Sequence, residues 1–241
     1  MQNPPLIMKT ILPSLLALTI SFTSIIGYAQ TTIAKVPFTI KKSGSYILAN
    51  DLTYSGTSTA ITVEASNVTI DLSGFTLQSS TAETGNGIEV SSNSTYNGVT
   101  IQNGTISGFA YAVGLANNQH LAQNLRLLNN EIAVSCNNGA RFCTIQNCFV
   151  FGGGTPASAI GVNLSPYCYS IAVKNCQLMN LYHGVTSTSP TGFGNALIGN
   201  YLVDCYVGLA MSNSLDKYER NLTIGCTYPF DGGTAVGDEN N

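Results

Sequence analysis

The hexapeptide Thr100-Ile101-Gln102-Asn103-Gly104-Thr105 decides the fold, because five later stretches of the chain repeat its pattern. Each repeat carries an Asn at the same place, and the spacings between these Asn residues are 21, 23, 28, 25 and 21. An aliphatic residue follows every one of them by three positions. A repeat of this length indicates a solenoid, in which each unit buries its apolar face only against its neighbours. The aligned residues are Asn103, Asn124, Asn147, Asn175, Asn200 and Asn221.

The repeat is predicted to consist of strands. The stretch from Val99 to Asn103 alternates apolar and polar residues, which is the period of a half-buried strand. Asn tolerates the left-handed backbone region, so it suits a sharp bend between two strands. We therefore expect parallel strands ~4.8 Å apart and a ladder of buried Asn side chains at the bend. The residue before each Asn should then face water.

With this Asn column, the sequence resembles the right-handed parallel β-helix proteins of the pectate-lyase-like superfamily over residues 36–226. The resemblance implies an all-β fold: a single-stranded right-handed parallel β-helix, or solenoid, of about seven coils with an Asn ladder. The run from Phe38 to Asp71-Leu72 is similar to the opening of secreted bacterial β-helix proteins of unassigned role. Because this fold carries many activities, the resemblance leaves the function open.

Residues 1–29 are predicted to be a signal peptide. Met8-Lys9 precedes an apolar run from Ile11 to Ile26, and cleavage is expected after Ala29. A membrane anchor is the alternative, which Pro13 and the short run disfavour. Translation can start at Met1 or at Met8. Residues 30–58 are expected to form capping strands, residues 59–226 the β-helix and residues 227–241 a flexible tail, in a secreted, periplasmic or cell-surface protein without further membrane insertion.

The charge of the chain limits its partners. Only 9% of the residues are charged and the net charge is −3, so the sequence has no electrostatic footprint for nucleic acid. The spacing of Cys, His and acidic residues predicts no metal site, and no cofactor is expected. The composition says nothing about the oligomeric state.

The residues before the Asn column form the candidate binding site. They should point outward as an amide-rich row able to contact the hydroxyl groups of a polysaccharide or a cell-surface glycan. The row comprises Gln102, Gln123, Gln146 and Lys174, and Lys174 would select acidic sugars. An ordinary solvated face is the alternative. The row itself lacks an aromatic ring for stacking, which Tyr167, Tyr169 or Tyr182 would have to supply.

Catalysis is left open by the sequence. His183-Gly184 is similar to the His-Gly step of polygalacturonase-type hydrolases, but such enzymes also need clustered aspartates, and His183 is read as a turn residue. The acidic residues Asp71, Glu89, Glu131 and Asp204 fall in different columns of the repeat, and the basic residues of the solenoid are Arg126, Arg141 and Lys174. We therefore expect binding or surface recognition, with a polysaccharide lyase or a glycoside hydrolase of the superfamily as the alternative.

The seven cysteines permit two interpretations. Cys148 and Cys176 each follow an aligned Asn, so they should stack on adjacent coils, and Cys205 and Cys226 should stack in the same way. Stacked buried thiols behave as small apolar side chains. At least one disulfide is the alternative in an exported protein.

Overall fold

The computed structural model describes residues 30–153, 158–188, 194–237 and 239–241. Within these residues every regular element is a β-strand, and all the strand pairs are parallel. The strands stack into three faces of a solenoid of about eight turns, which confirms the predicted fold class. The predicted signal peptide lies outside the described residues.

The three faces follow one another along each turn. Face A contains β1 (Thr31–Ile33), β3 (Gly44–Leu48), β6 (Val68–Asp71), β9 (Thr100–Ser107), β11 (Leu121–Leu128), β13 (Thr144–Gln146), β16 (Ala172–Lys174), β19 (Ala196–Ile198), β22 (Lys217–Glu219) and β25 (Thr234–Ala235). Face B contains β4 (Leu52–Tyr54), β7 (Thr76–Ser79), the second halves of β9 and β11, β14 (Phe149–Phe151), β17 (Gln177–Met179), β20 (Tyr201–Val203) and β23 (Leu222–Ile224). Face C contains β2 (Phe38–Ile40), β5 (Thr59–Val63), β8 (Asn86–Val90), β10 (Tyr111–Asn118), β12 (Ile132–Arg141), β15 (Ile160–Leu164), β18 (His183–Ser187), β21 (Val207–Met211) and β24 (Tyr228–Gly232).

Aliphatic side chains stack in register to form the core. On face A, the parallel register aligns Ile101 with Ala122 and Ile145 with Val173, and all four side chains are fully buried. Burial of an aliphatic side chain contributes ~1.5–3 kcal/mol relative to its exposure. The alternating pattern of the sequence therefore translates into columns of buried residues that run the length of the solenoid.

His120 is a polar member of a core column. It is buried; its Nδ1 accepts a hydrogen bond from the Val99 amide at 3.1 Å, and its Nε2 lies 2.6 Å from the carbonyl oxygen of Ala116. These partners make Nε2 the protonated nitrogen. Burial lowers the pKa of His120 and outweighs the opposing effect of the Ala116 carbonyl. His120 is thus a neutral structural bridge between adjacent turns.

The bend between faces A and B corrects the predicted Asn ladder. Asn147 and Asn175 do occupy the bend with positive φ, as predicted, but their side chains are exposed. The register aligns Lys174 with Ile198, so the bend position of the next turn is held by Gly199, and Asn200 lies one residue further on. The expectation that the bend Asn residues are buried was therefore wrong.

The buried part of the ladder consists of Asn200 and Asn221, which point into the core in the column of Cys176. Asn200 Oδ1 accepts the amide N–H of Cys176 at 3.0 Å, and Asn200 Nδ2 donates to Asn221 Oδ1 at 2.9 Å. Asn221 in turn donates to the Leu197 carbonyl at 2.9 Å. These amides satisfy backbone groups that no strand partner reaches at the bend.

The ends of the solenoid differ from the predicted boundaries. The strands β1 to β4 of the expected cap pair in parallel with later strands, so residues 30–58 belong to the solenoid and already begin its second turn at β3. At the other end, the predicted flexible tail contains β24 and β25, because Tyr228 packs on Tyr206 and Phe230 stacks on Tyr218 at 5.0 Å. The boundary at residue 226 was therefore placed too early.

Candidate functional site

The predicted outward row lies on face A. The register places Gln102, Gln123, Gln146 and Lys174 on successive turns. Gln146 Nε2 donates to Gln123 Oε1 at 2.9 Å, and Gln123 Nε2 donates to Gln102 Oε1 at 2.9 Å. Each amide between two neighbours uses one donor and one acceptor in this chain. It keeps a second N–H and a second lone pair for a ligand.

The glutamine chain ends on the carboxylate of Asp71. Gln102 and Asn103 donate to Asp71 Oδ2 at 3.0 and 2.9 Å, and the Ser73 amide donates to Oδ1 at 2.7 Å. Burial raises the pKa of Asp71, but these hydrogen bonds together outweigh it, so the pKa lies below its ordinary value. Asp71 is therefore ionised at neutral pH and fixes the direction of the amides in the row.

Lys174 continues the row one turn beyond Gln146. Its side chain is half-buried, and the ion pairs of the described residues involve only Lys41 and Arg220 as cations. The ammonium group of Lys174 therefore has no ion-pair partner within the described part of the chain.

A groove of about 370 Å³ lies beside the row, across the bend between faces A and B. Arg126 and Phe149 stand on adjacent strands of face B, and the guanidinium carbon of Arg126 lies 5.1 Å from the ring centre of Phe149. A cation over an aromatic face is attracted by the ring quadrupole. The lining residues are Arg126, Asn147, Cys148, Phe149, Asn175 and Gln177. We refer to them as the Arg126 groove.

The Arg126 groove supplies the aromatic ring that the sequence did not place. Of the proposed residues, Tyr169 lies under Arg141 at 4.7 Å, and Tyr182 stacks on Tyr206 at 5.0 Å. These two rings, like the exposed Tyr167, stand at other corners of the solenoid and do not line the groove. Phe149 is the functional candidate that sequence reasoning missed.

The charged residues that the sequence analysis singled out do not converge in one groove. Asp71 and Lys174 belong to the same row but are separated by four turns, or ~19 Å at the strand spacing of a sheet. Glu89 lies on face C, and Arg141 ends β12 near Tyr169. Among the described residues, no group of three His, Cys, Asp or Glu side chains is placed to hold a metal ion.

His183 is a strand residue and not a turn residue. It opens β18, and its ring lies 4.5 Å from that of Tyr182. Burial lowers its pKa, against an opposing effect of Asp231. The following Gly184 is required by packing, since a Cβ there would clash with the Leu202 side chain and come within 2.6 Å of the Gly208 carbonyl oxygen.

The cysteines are free thiols in the structure. The strand register stacks Cys148 on Cys176 and Cys205 on Cys226, as the sequence predicted. A hydrogen bond that the Cys148 thiol donates to Cys176, together with burial, raises the pKa of Cys148 well above its ordinary value. The thiols act as small core side chains.

Comparison with known proteins agrees with the architecture. No family model matches the sequence, and no curated protein matches it either. The solved enzymatically active domain of tailspike protein 2 of bacteriophage CBA120 superposes with a TM-score of 0.58 and 11% identity, covering 81% of this chain and 38% of that chain. The full-length tailspike protein 2 of an Escherichia coli O157:H7 bacteriophage gives a TM-score of 0.48 and 11% identity, covering 81% and 34%.

At this identity the likeness shows the fold alone. The protein is a parallel β-helix, and it spans well under half the length of the tailspike chains that it resembles. In the described part of the chain, no helix has the length and hydrophobicity needed to cross a membrane.

Proposed function

We propose that the chain is an exported glycan-recognition β-helix that binds an acidic oligosaccharide, secreted or held in the periplasm or at the cell surface. The observation that carries the proposal is the Arg126 groove beside the outward row, where an aromatic ring and a guanidinium group adjoin a row of fixed amides. The four residues of the row span ~14 Å, which suits about three sugar units. Lys174 and Arg126 add positive charge, which favours a carboxylate or sulfate on the sugar.

A polysaccharide lyase or a glycoside hydrolase of the pectate-lyase-like superfamily is the second candidate. Glycosidases place two carboxyl groups ~5–9.5 Å apart, whereas here Asp71 and Glu89 stand on different faces of the solenoid. This separation supports binding over hydrolysis. The low net charge of the chain supports a sugar over a nucleic acid as the partner.

The test is binding of neutral and acidic oligosaccharides, measured by calorimetry. Phe149→Ala should weaken binding of an acidic oligosaccharide by about 1–2 kcal/mol, roughly 5- to 30-fold in Kd, because the stacking ring is lost. Phe151→Ala is the matched control: Phe151 lies on the same strand and is exposed, but does not line the groove. A triple variant, Gln102→Ala with Gln146→Ala and Lys174→Ala, removes most of the row.

Two results would contradict the proposal. If an acidic oligosaccharide binds and both the triple variant and Phe149→Ala bind it as the wild type does, the contact face is elsewhere. If no oligosaccharide of the panel binds, the protein is not a glycan-recognition protein, and a role as a rigid surface spacer without a glycan ligand becomes the better hypothesis.

A further inference from the structure

Face C carries a polar notch that the proposed function does not use. Gly114 stands in the outward column of this face, between Glu89 on the turn before it and Ser135 on the turn after it. Because Gly114 has no side chain, the column is interrupted by a cavity of about 100 Å³. The cavity is lined by Asn86, Glu89, Tyr111, Gly114 and Asn137, which we call the Glu89 notch.

The carboxylate in this notch is held in place. Thr59 Oγ1 and Asn86 Nδ2 each donate to Glu89 Oε2 at 2.9 Å, from the turn below and from the same strand. Oε1 has no hydrogen-bond partner within the described part of the chain, and no Lys or Arg there forms an ion pair with Glu89. An oriented carboxylate with one free oxygen and no counter-ion is a strong acceptor for a cationic donor.

The other lining residues define the rest of the ligand. The Tyr111 side chain is 39% exposed and borders the cavity, so its ring is available for contact with a sugar ring or a cation. The side-chain amides of Asn86 and Asn137 offer donors and acceptors to hydroxyl groups. Together these groups match one amino sugar. The carboxylate can bind its ammonium group, the Tyr111 ring can pack on its ring face, and the amides can bind its hydroxyl groups.

We infer that the Glu89 notch binds an amino sugar, with its ammonium group on Glu89 Oε1 and its ring against Tyr111. This ligand differs in charge from the acidic sugar proposed for face A, and the two sites lie on different faces. The inference about the Glu89 notch does not depend on the function proposed for face A, so an experiment can disprove either hypothesis without affecting the other.

Calorimetry with a glucosamine tetramer tests the inference, with its fully N-acetylated form and a glucose tetramer as comparisons. The glucosamine tetramer should bind at least ten-fold more tightly than either, because only it brings an ammonium group to the carboxylate. Glu89→Gln should cost about 10- to 100-fold in Kd, since a charged hydrogen bond becomes a neutral one. Gly114→Ser, which fills the notch without changing its charge, should also abolish tight binding.

The matched control is Asp231→Asn, which removes the other carboxylate of the same outward column, six turns and ~29 Å away. It should leave the affinity unchanged, and thermal melting should show all variants folded. Failure of the wild type to bind the glucosamine tetramer would overturn the inference. So would equal binding of the N-acetylated tetramer, or an equal loss in Glu89→Gln and Asp231→Asn.

Discussion

One inward position at the bend between faces A and B accepts both apolar side chains, such as Leu125 and the thiols, and amides, which have a different physical role. Cys148 and Cys176 fill it with thiols, which pack as small apolar groups and do not require strong hydrogen-bond partners. Asn200 and Asn221 fill it with amides, which bond backbone groups of the turn before them. The neighbouring backbone groups therefore depend on the amide at this position, because its removal leaves them buried and without a hydrogen-bond partner.

Asn200→Ala is expected to destabilise the protein more than Asn147→Ala. Asn200 is 1% exposed, and its loss leaves the Cys176 amide and the Val173 carbonyl without their side-chain partner. The expected cost is about 2–4 kcal/mol for these unsatisfied groups. Asn147 is exposed, so Asn147→Ala should cost only about 1 kcal/mol, from placing Ala in a left-handed bend.

Denaturant unfolding of both variants measures the difference, with Asn147→Gly as the control that removes the bend strain. An equal loss for the two Ala variants, or a larger loss for Asn147→Ala, would contradict the register in which Asn200 points inward.

For individual residues, the sequence predicted the outward row of face A but not Phe149, the aromatic residue of the groove beside it. Alternation within face A puts Gln102 and Gln146 outside, and the structure agrees. Phe149 lies past the bend, where the alternation restarts with a new phase, so its direction could not be deduced from face A. The Asn alignment failed at Asn200 for a related reason. Leu197-Ile198 is a doubly apolar pair, and either residue can serve as the inward one.

Among the elements, the strands of face C share a column of small residues just before their inward aliphatic residue. These residues are buried, and they let successive turns approach closely behind the sheet. The column comprises Ala60, Gly87, Ala112, Ala133, Gly161, Gly184 and Gly208. The His183-Gly184 pair belongs to this pattern, so packing explains the glycine without a catalytic role for the histidine.

Gly184→Ala should therefore destabilise the solenoid. The added Cβ would press on the Leu202 side chain and on the Gly208 backbone, and such overpacking typically costs ~1–3 kcal/mol. Gly114→Ala is the matched control, since Gly114 is also in a face C strand, but the tightest contact of its Cβ would be with the flexible side chain of Glu89, at 3.3 Å. Thermal melting compares the two, and equal shifts would show that the small-residue column is not required for packing.

For the whole molecule, the proposed export has to be reconciled with the seven thiols. Six of the seven cysteines have at most 2% of their surface exposed, and Cys226 in the last turns is more accessible. Burial raises the pKa of Cys143 to about 11, and burial with the neighbouring Cys226 raises that of Cys205 to about 12. Since the thiolate is the form that oxidises, Cys143 and Cys205 should react slowly even in an oxidising compartment.

The last prediction is that the exported chain begins at Gln30 and keeps its thiols. Cleavage after Ala29 leaves β1 intact, because that strand starts at Thr31 and its Ile33 is fully buried. Mass spectrometry of secreted or periplasmic protein should show residues 1–29 missing. Alkylation of the folded protein should modify Cys226 before the others, and alkylation after unfolding should modify all seven cysteines without any reductant. A parallel sample treated with reductant is the control. Additional labelled cysteines in that sample would reveal a disulfide and contradict the thiol prediction, and a cytoplasmic chain retaining residues 1–29 would contradict export.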